Sequence, residues 1–329
     1  MKSARLLLAS VAVAWATFLG TPLAQGEGPL DETHLTLRQE LLSMINRDRR
    51  AHGLATVELD AYASSIADDY CRAQIRNGTT GHFTVDGRPP YMRYSFAGGN
   101  DGVSENAAAW SADYKLSARS LFEMMRESEA TMLAEKAPHD GHRQTLLDPF
   151  ATHVGIGLAW QDGEFRLTQE FIRRYVEWLR PVSRHAREGE RLLLSGRTIP
   201  GFRIDAISVH REPLPQSISP ITANAINSYS LPDERRDYLP RLKTVYRRAL
   251  DGAVEVLHEE YTDGRKGDFQ IDERGSFAFA LPFPDGPGVY TIVVWVSRDG
   301  HRDSIAASNI SVRVDASGTG AHRTSPSTR

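Results

Sequence analysis

The chain has 329 residues, with 39 Lys+Arg against 42 Asp+Glu and a formal net charge of −3, a balance that argues against a basic nucleic-acid binder. With 40% hydrophobic and 25% charged residues, the composition sits near the globular average, so the chain can bury a core, and its length predicts two domains at ~150 residues each. A single cysteine, Cys71, excludes an intramolecular disulfide and every cysteine-rich zinc or iron–sulfur site.

In chain order, residues 1–26 come first. Lys2 and Arg5 precede an apolar run over 6–19, and Ala24-Gln25-Gly26 places small residues at −3 and −1 of a cleavage site, the layout of a secretory signal peptide. The run is shorter than the ~20 apolar residues that a membrane span needs. The expected product is therefore secreted or periplasmic, without a membrane span, and no cysteine follows the run to accept a lipid.

Residues 31–180 alternate helical stretches with loops. Leu37, Leu41, Leu42 and Ile45 step at helical spacing, and Gly53 is placed to end that helix. Leu59, Tyr62, Ala63, Ile66, Ala67, Tyr70 and Ile75 mark a second helix that Asn77-Gly78 stops. A third is expected over 116–129. "HVGIGLAW" and "GEFRLTQEFI" flank the turn signal Gln161-Asp162-Gly163 and predict a hairpin. The region is mixed α+β.

Past Pro181 the helical period fades. "RLLLSGRTI", "FRIDAISVH", "AVEVLHEEY", "GSFAFALPF", "GVYTIVVWVS" and "IAASNISVRV" read as strands of an all-β, immunoglobulin-like sandwich over 188–315. A polar stretch at 213–251 interrupts them. Its "PRLKTVYRRAL" segment is expected to form a short amphipathic helix laid across one sheet, and the Pro-rich part before it a long loop. Residues 316–329, rich in Ser, Thr and Gly, are expected to form a disordered tail.

Four segments of the first region recur in a familiar order: "LLSMINRDRRAHGLATVELD", "GHFTVDGRPPYMRYSFAG", "VSENAA", and "GHRQTLLDPFATHVGIGLAW" followed by "FRLTQEFI". Together they resemble the bacterial branch of the CAP superfamily, the group of cysteine-rich secretory, antigen 5 and pathogenesis-related 1 proteins, also called SCP domains. Four ordered motifs are more specific than any one alone. The resemblance implies an α-β-α sandwich with a cleft holding two histidines and one or two acids. Motif by motif, these are His82 of "GHFT", Glu105 of "SEN" and His142 of "GHR". For a second acid, Glu127 is the first candidate and Glu123 the alternative, because Phe122 or a methionine replaces the tryptophan that would fix the register. The disulfides typical of animal members are missing.

Two neutral imidazoles and a carboxylate converging on one point suit zinc or another divalent metal and leave positions open for water. With water bound there, Glu105 or Glu127 would take its proton. In the alternative, His82 and His142 hydrogen-bond to the acids and hold loops in place. Arg88 and Arg93 are candidates to meet a ligand carboxylate or to brace their loop. Phe83 and Tyr91, with Tyr94 and Phe96, are candidates to line an apolar groove, with core packing as the alternative. His139 is expected to be an exposed loop histidine, Asn106 to anchor a loop through its amide, and Cys71 to be a small buried hydrophobe. The zinc-peptidase helix motif, the G-x-S-x-G elbow and the P-loop do not occur.

Two functions fit these features. One is an exported binding module for a lipid, peptide or cell-wall ligand. The other is a metal-dependent hydrolase, peptidase or wall-modifying, built on His82, His142 and Glu105. The first is favoured because no complete catalytic signature is present and a shared fold does not license an activity.

Overall fold

A computed structural model describes residues 32–242, 244–248, 253–301 and 303–317. The expected signal peptide at 1–26 and all but two residues of the expected tail at 316–329 lie outside the described residues.

The first region runs α1 (Glu32–Ala51), β1 (Glu58–Leu59), α2 (Ala61–Asn77), α3 (Pro90–Phe96), β2 (Gly102–Ser111), α4 (Ala118–Ala134), α5 (Gly141–Leu146), β3 (His153–Gln161) and β4 (Glu164–Arg173). Its sheet has the order β1-β3-β4-β2. The β1–β3 pair is parallel, and β4 lies antiparallel to both β3 and β2. Alternation along the strands separates two faces. Val154, Ile156 and Leu158 of β3 join Phe165, Leu167 and Phe171 of β4 beneath α1, α4 and α5, whereas Ile172 and Val103 pack with α2 and α3. The result is a three-layer α-β-α arrangement with a central strand buried on both faces.

Local chemistry sets the ends of α2. The Asp60 side chain accepts from Ala63 N at 2.8 Å, and Gly78 closes the helix in the left-handed region at φ 64°, as the N-cap and C-cap rules require. The helix lies hard against β3. A Cβ on Gly157 would meet the Ala67 backbone at 2.3 Å, so only glycine permits this approach.

The second region contains β5 (Val176–Trp178), β6 (His185–Arg187), β7 (Arg191–Thr198), β8 (Phe202–Glu212), α6 (Pro220–Ala225), β9 (Arg235–Tyr238), β10 (Thr244–Arg248), β11 (Val254–His258), β12 (Gln270–Ile271), β13 (Ser276–Pro282), β14 (Gly288–Arg298), β15 (Ile305–Ala306) and β16 (Ile310–Asp315). One sheet has the order β12-β13-β7-β5; the other runs β6-β16-β14-β8-β9, with β15 beside β14. Leu194, Phe277 and Leu281 of the first sheet share a core with Ile207, Ile292, Val294 and Val312 of the second, so two sheets close on one apolar interior. Val176–Trp178, which the sequence places in the first region, hydrogen-bonds into this second region through β7.

The amphipathic helix expected in "PRLKTVYRRAL" is not formed. Residues 244–248 are instead a strand, paired antiparallel with β11 from Thr244↔His258 to Arg248↔Val254. Non-local pairing overrides a short helical period there.

The two regions meet through directional bonds. The Arg184 guanidinium donates to Ser95 O at 2.8 Å, Gly99 O at 2.8 Å and Asn100 Oδ1 at 2.6 Å, and Val103 N donates to Asn309 Oδ1 at 2.8 Å. Strands β8 and β9 are antiparallel neighbours, a pair that a short hairpin can join. Here residues 213–234 join them and leave the sheet to lie on the first region.

Candidate functional site

The His82 loop, between α2 and α3, is fixed from below by the helix before it. Tyr70 Oη and Gln74 Nε2 both donate to Gly81 O, at 2.7 and 2.8 Å. His82 Nδ1 meets Glu105 Oε1 at 2.8 Å, and the other oxygen of Glu105 accepts from Arg93. Arg93 also donates to Glu170 Oε1 at 3.0 Å and to His82 O at 3.1 Å, and lies 3.6 Å above the Tyr70 ring. Glu105 and Glu170 face each other across β2 and β4. Burial opposes the Arg93 charge, but the two carboxylates outweigh it and hold the guanidinium above its ordinary pKa. Burial first, then the neighbouring Glu105 charge, pushes Glu170 up to about 8.

His142 is the second residue of α5. Its Nδ1 meets Glu135 Oε1 at 2.5 Å, and its backbone N donates to Glu135 Oε2 at 2.9 Å. Glu135 follows the last turn of α4, where a turn closed by His139 N to Lys136 O at 3.0 Å brings the chain back. From the sheet, Asn106 Nδ2 donates to His142 O at 3.0 Å and to Gln169 Oε1 at 3.2 Å; Gln169 Nε2 in turn donates to Glu129 Oε2 at 2.7 Å. Burial raises Glu129 to about 7.

The two imidazole centroids are 6.3 Å apart with their planes tilted by 32°. A carboxylate oxygen at Nδ1 favours the tautomer that carries its proton there and leaves the Nε2 lone pair available. Neither Nε2 has a partner among the described residues. The His82 side chain is 10% exposed and that of His142 35% exposed, so His142 is the more accessible of the two rings.

The remaining candidates divide. Glu127 is exposed on α4, and Glu123 is spent on an exposed pair with Arg119 at 2.9 Å; neither touches a histidine. Arg88 pairs with Asp86. Tyr91 is buried and donates to Glu212 Oε1 at 2.9 Å, Phe83 is half-buried beside His82 in the chain, and His139 is exposed. Cys71 is buried, its thiol donating to Thr168 Oγ1 at 3.3 Å and pushed up to about 12 by that burial.

Sequence reasoning did not find Glu135 or Tyr229. Tyr229 lies in the segment between β8 and β9; its ring meets His82 edge-on at 5.1 Å, and its hydroxyl accepts the Glu105 N–H at 2.6 Å. Burial raises its phenol pKa. The same segment is tied down along the His82 loop. Thr80 N donates to Asn224 Oδ1 at 2.8 Å, Asn224 Nδ2 to Gly78 O at 3.0 Å, and Ile218 N to Val85 O at 2.9 Å. The second region thus packs Tyr229 and its segment against the His82 loop.

Among the described residues, no group of three or more His, Cys, Asp or Glu side chains is arranged to hold a metal. The donors at this site are the two imidazole nitrogens, with Glu105 and Glu135 oriented behind them. No described helix is long and apolar enough to cross a membrane.

The family described as CAP, the cysteine-rich secretory protein family, matches residues 42–171. Among solved structures, an extracellular protein containing an SCP domain from Bacillus anthracis is similar at 19% identity over 45% of this chain and 45% of its own, with a TM-score of 0.34. An outer surface protein of Borrelia burgdorferi is similar at 17% identity over 42% of this chain and 93% of its own, with a TM-score of 0.35. The chain thus spans less than half the length of the Bacillus protein. No curated protein matches.

Proposed function

Because residues 42–171 are a domain of the cysteine-rich secretory protein (CAP) family, we propose that the chain is an exported binding module. Its cleft presents His82 and His142 to an apolar, peptidic or cell-wall ligand and is able to hold a divalent metal between them. The leader pattern at 1–26 supports export.

The observation that carries this reading is the matched pair of carboxylate–histidine bonds, His82 to Glu105 at 2.8 Å and His142 to Glu135 at 2.5 Å. A carboxylate on one ring nitrogen fixes the tautomer, aims the other nitrogen and raises its basicity, the support that metal-bound histidines receive. Two imidazoles sharing one zinc at ~2.0–2.1 Å would bring their centroids to ~5 Å. The 6.3 Å spacing thus leaves a closure of roughly 1 Å, within reach of the half-exposed His142. Zinc held there by two protein ligands would keep open positions for a ligand oxygen or water, acting as a Lewis acid.

The geometry favours binding over hydrolysis. Both Glu105 oxygens are engaged, by His82 and Arg93, and its side chain is fully buried. Glu135 accepts from the His142 ring and from two backbone N–H groups. Both acids therefore act as orienting groups, and neither is free to take a proton from water.

Zinc titration by calorimetry on the mature chain near neutral pH tests the site, alongside a His82→Ala, His142→Ala double variant shown by circular dichroism to be folded. Saturable binding that the variant loses is the expected result. Zinc binding of equal strength in both proteins, or in neither, would overturn the metal part. Titrations with lipids, peptides and wall fragments test the ligand part, and saturation by none of them would overturn it.

A further inference from the structure

A cavity of about 480 Å³ opens at the seam between the two regions, and neither His82 nor His142 lines it. Its walls come from the first region, from the segment between β8 and β9, and from the second region. Arg88 and Phe96 belong to the first region, Leu214 to the segment crossing between β8 and β9, and His185, Val289 and Arg313 to the second region. The volume is that of a small-molecule site, and such sites favour the junctions between domains.

Its lining is divided by chemistry. Phe96, Leu214 and Val289 belong to the apolar cluster that also holds Tyr91 and Met92, so one side of the cavity is continuous with a packed interior. The other side carries the donors Arg313, His185 and Arg88, each arginine already paired with one aspartate. Arg313 uses only Nε on its neighbour Asp315, at 2.8 Å, which leaves both terminal nitrogens of a half-exposed guanidinium to donate. Among the described residues, no partner meets either ring nitrogen of His185. Arg88 spends Nε and Nη2 on Asp86 and keeps Nη1. Among the described residues that line the cavity, Asp86 is the one acid. That bidentate pair, and a hydrogen bond from the Thr84 hydroxyl, satisfy its charge.

A planar guanidinium with two free terminal N–H groups pairs bidentately with the planar fork of a carboxylate, as it also does with a phosphate. An apolar floor beside it selects for a tail. We propose that this seam cavity binds a small amphipathic carboxylate, its head on Arg313, His185 and the free Nη1 of Arg88 and its tail against Phe96, Leu214 and Val289. Because the walls belong to both regions, the bound acid also ties the seam together and stabilises the folded chain by mass action. The proposal is independent of the histidine cleft.

The test is calorimetric titration of the full mature chain with octanoate at neutral pH. Octan-1-ol and octyltrimethylammonium serve as tail-matched controls. N-acetyl-alanyl-leucine and its amide form the second arm, which distinguishes an aliphatic acid from a peptide carboxyl end as the source of the head group. Saturable binding of at least one carboxylate is expected, with neither the alcohol, the ammonium nor the amide competing. A rise in the thermal midpoint with ligand concentration should accompany it. The Arg313→Ala, His185→Ala double variant should weaken binding at least tenfold, and Arg88→Ala, at a half-buried position, should weaken it less. The His82→Ala, His142→Ala variant should bind octanoate unchanged, which separates this site from the cleft. Octanol binding as tight as octanoate, equal carboxylate affinity in the Arg313/His185 variant, or no saturation by either acid would overturn the proposal.

Discussion

Among the described residues, the first region buries Arg38, Arg49, Arg93 and Arg166 together with Asp68, Glu105, Glu129 and Glu170, whereas the second buries no Asp, Glu, Lys or Arg at all. Its buried polar side chains are small or neutral, among them Ser208, Thr291, Ser308 and Ser311. Arg49 shows how the first region uses its charges. Fully buried, it donates to the backbone oxygens of Ala55, Leu146, Asp148 and Ala151 and so joins the end of α1 to the loops around α5. Arg93 does the same for the His82 loop. Apolar burial is non-directional and fixes a loop only loosely. Buried ion pairs are expensive to desolvate but direct their partners to particular atoms. The region that must aim two imidazoles relies on the second kind of bond, and the region that packs a segment against the His82 loop relies on the first.

The contrast is tested hardest at Arg93. Arg93→Met leaves Glu105 and Glu170 buried and facing each other without their cation, and a loss of ~3–5 kcal/mol in urea unfolding is expected; a loss under ~1 kcal/mol would mean that these carboxylates do not depend on it. In the second region the matching change is Ile292→Ala, at a fully buried position of β14. It should cost ~2–5 kcal/mol through transfer and cavity terms, and by the same amount at pH 5 and pH 8, because its core neighbours carry no charge.

The pH dependence belongs to the first region. Folding raises Glu129 to about 7 and Glu170 to about 8, in both cases chiefly by burial. Both hold protons in the folded chain that the unfolded chain releases at ordinary carboxylate pH. Their contribution is complete below that ordinary range and is lost as pH rises through about 7 and about 8. Glu129→Gln, which mimics the protonated acid, should therefore raise stability at pH 8 by ~2–3 kcal/mol and leave it unchanged near pH 4, as read from urea midpoints at the two values. The smallest effect is expected where the regions touch. Tyr229→Phe keeps the ring on His82 but removes the acceptor of the Glu105 N–H, a loss of ~1–3 kcal/mol by thermal unfolding.

The parts of this architecture that the sequence revealed are those whose causes are local. α1, α2 and the β3–β4 hairpin follow from periodicity and from Gly78 and Asp162, the latter at φ 54° in the turn. The motifs "GHFT", "SEN" and "GHR" singled out His82, Glu105 and His142, whose side chains the fold brings near one another, and Asn106 anchors a loop through its amide as read, on His142 O. What stayed hidden depended on contacts between distant positions. Glu135 lies beyond the end of α4 and reaches His142 only through the turn at 136–139, so counting back along a helix pointed to Glu127 and Glu123 on the exposed face. The segment "PRLKTVYRRAL" has a helical spacing of apolar residues, yet its residues 244–248 form a strand because β11 lies beside them. Nothing near Tyr229 in the sequence announces that its ring will meet His82.

The excursion of residues 213–234 also sets an order of events during synthesis. A chain made from its N-terminus completes the whole CAP-matched stretch, 42–171, well before Tyr229 is added. During that interval the Glu105 N–H lacks its acceptor and the His82 ring lacks its edge-on neighbour, so the newborn first region carries an unfinished cleft. Tyr229 arrives only after β8 has been made, and β9 then anchors the far end of the excursion by pairing back onto it. A ribosome-stalled chain ending before residue 213 should therefore expose the His82 loop to proteolysis, and one extended past β9 should protect it.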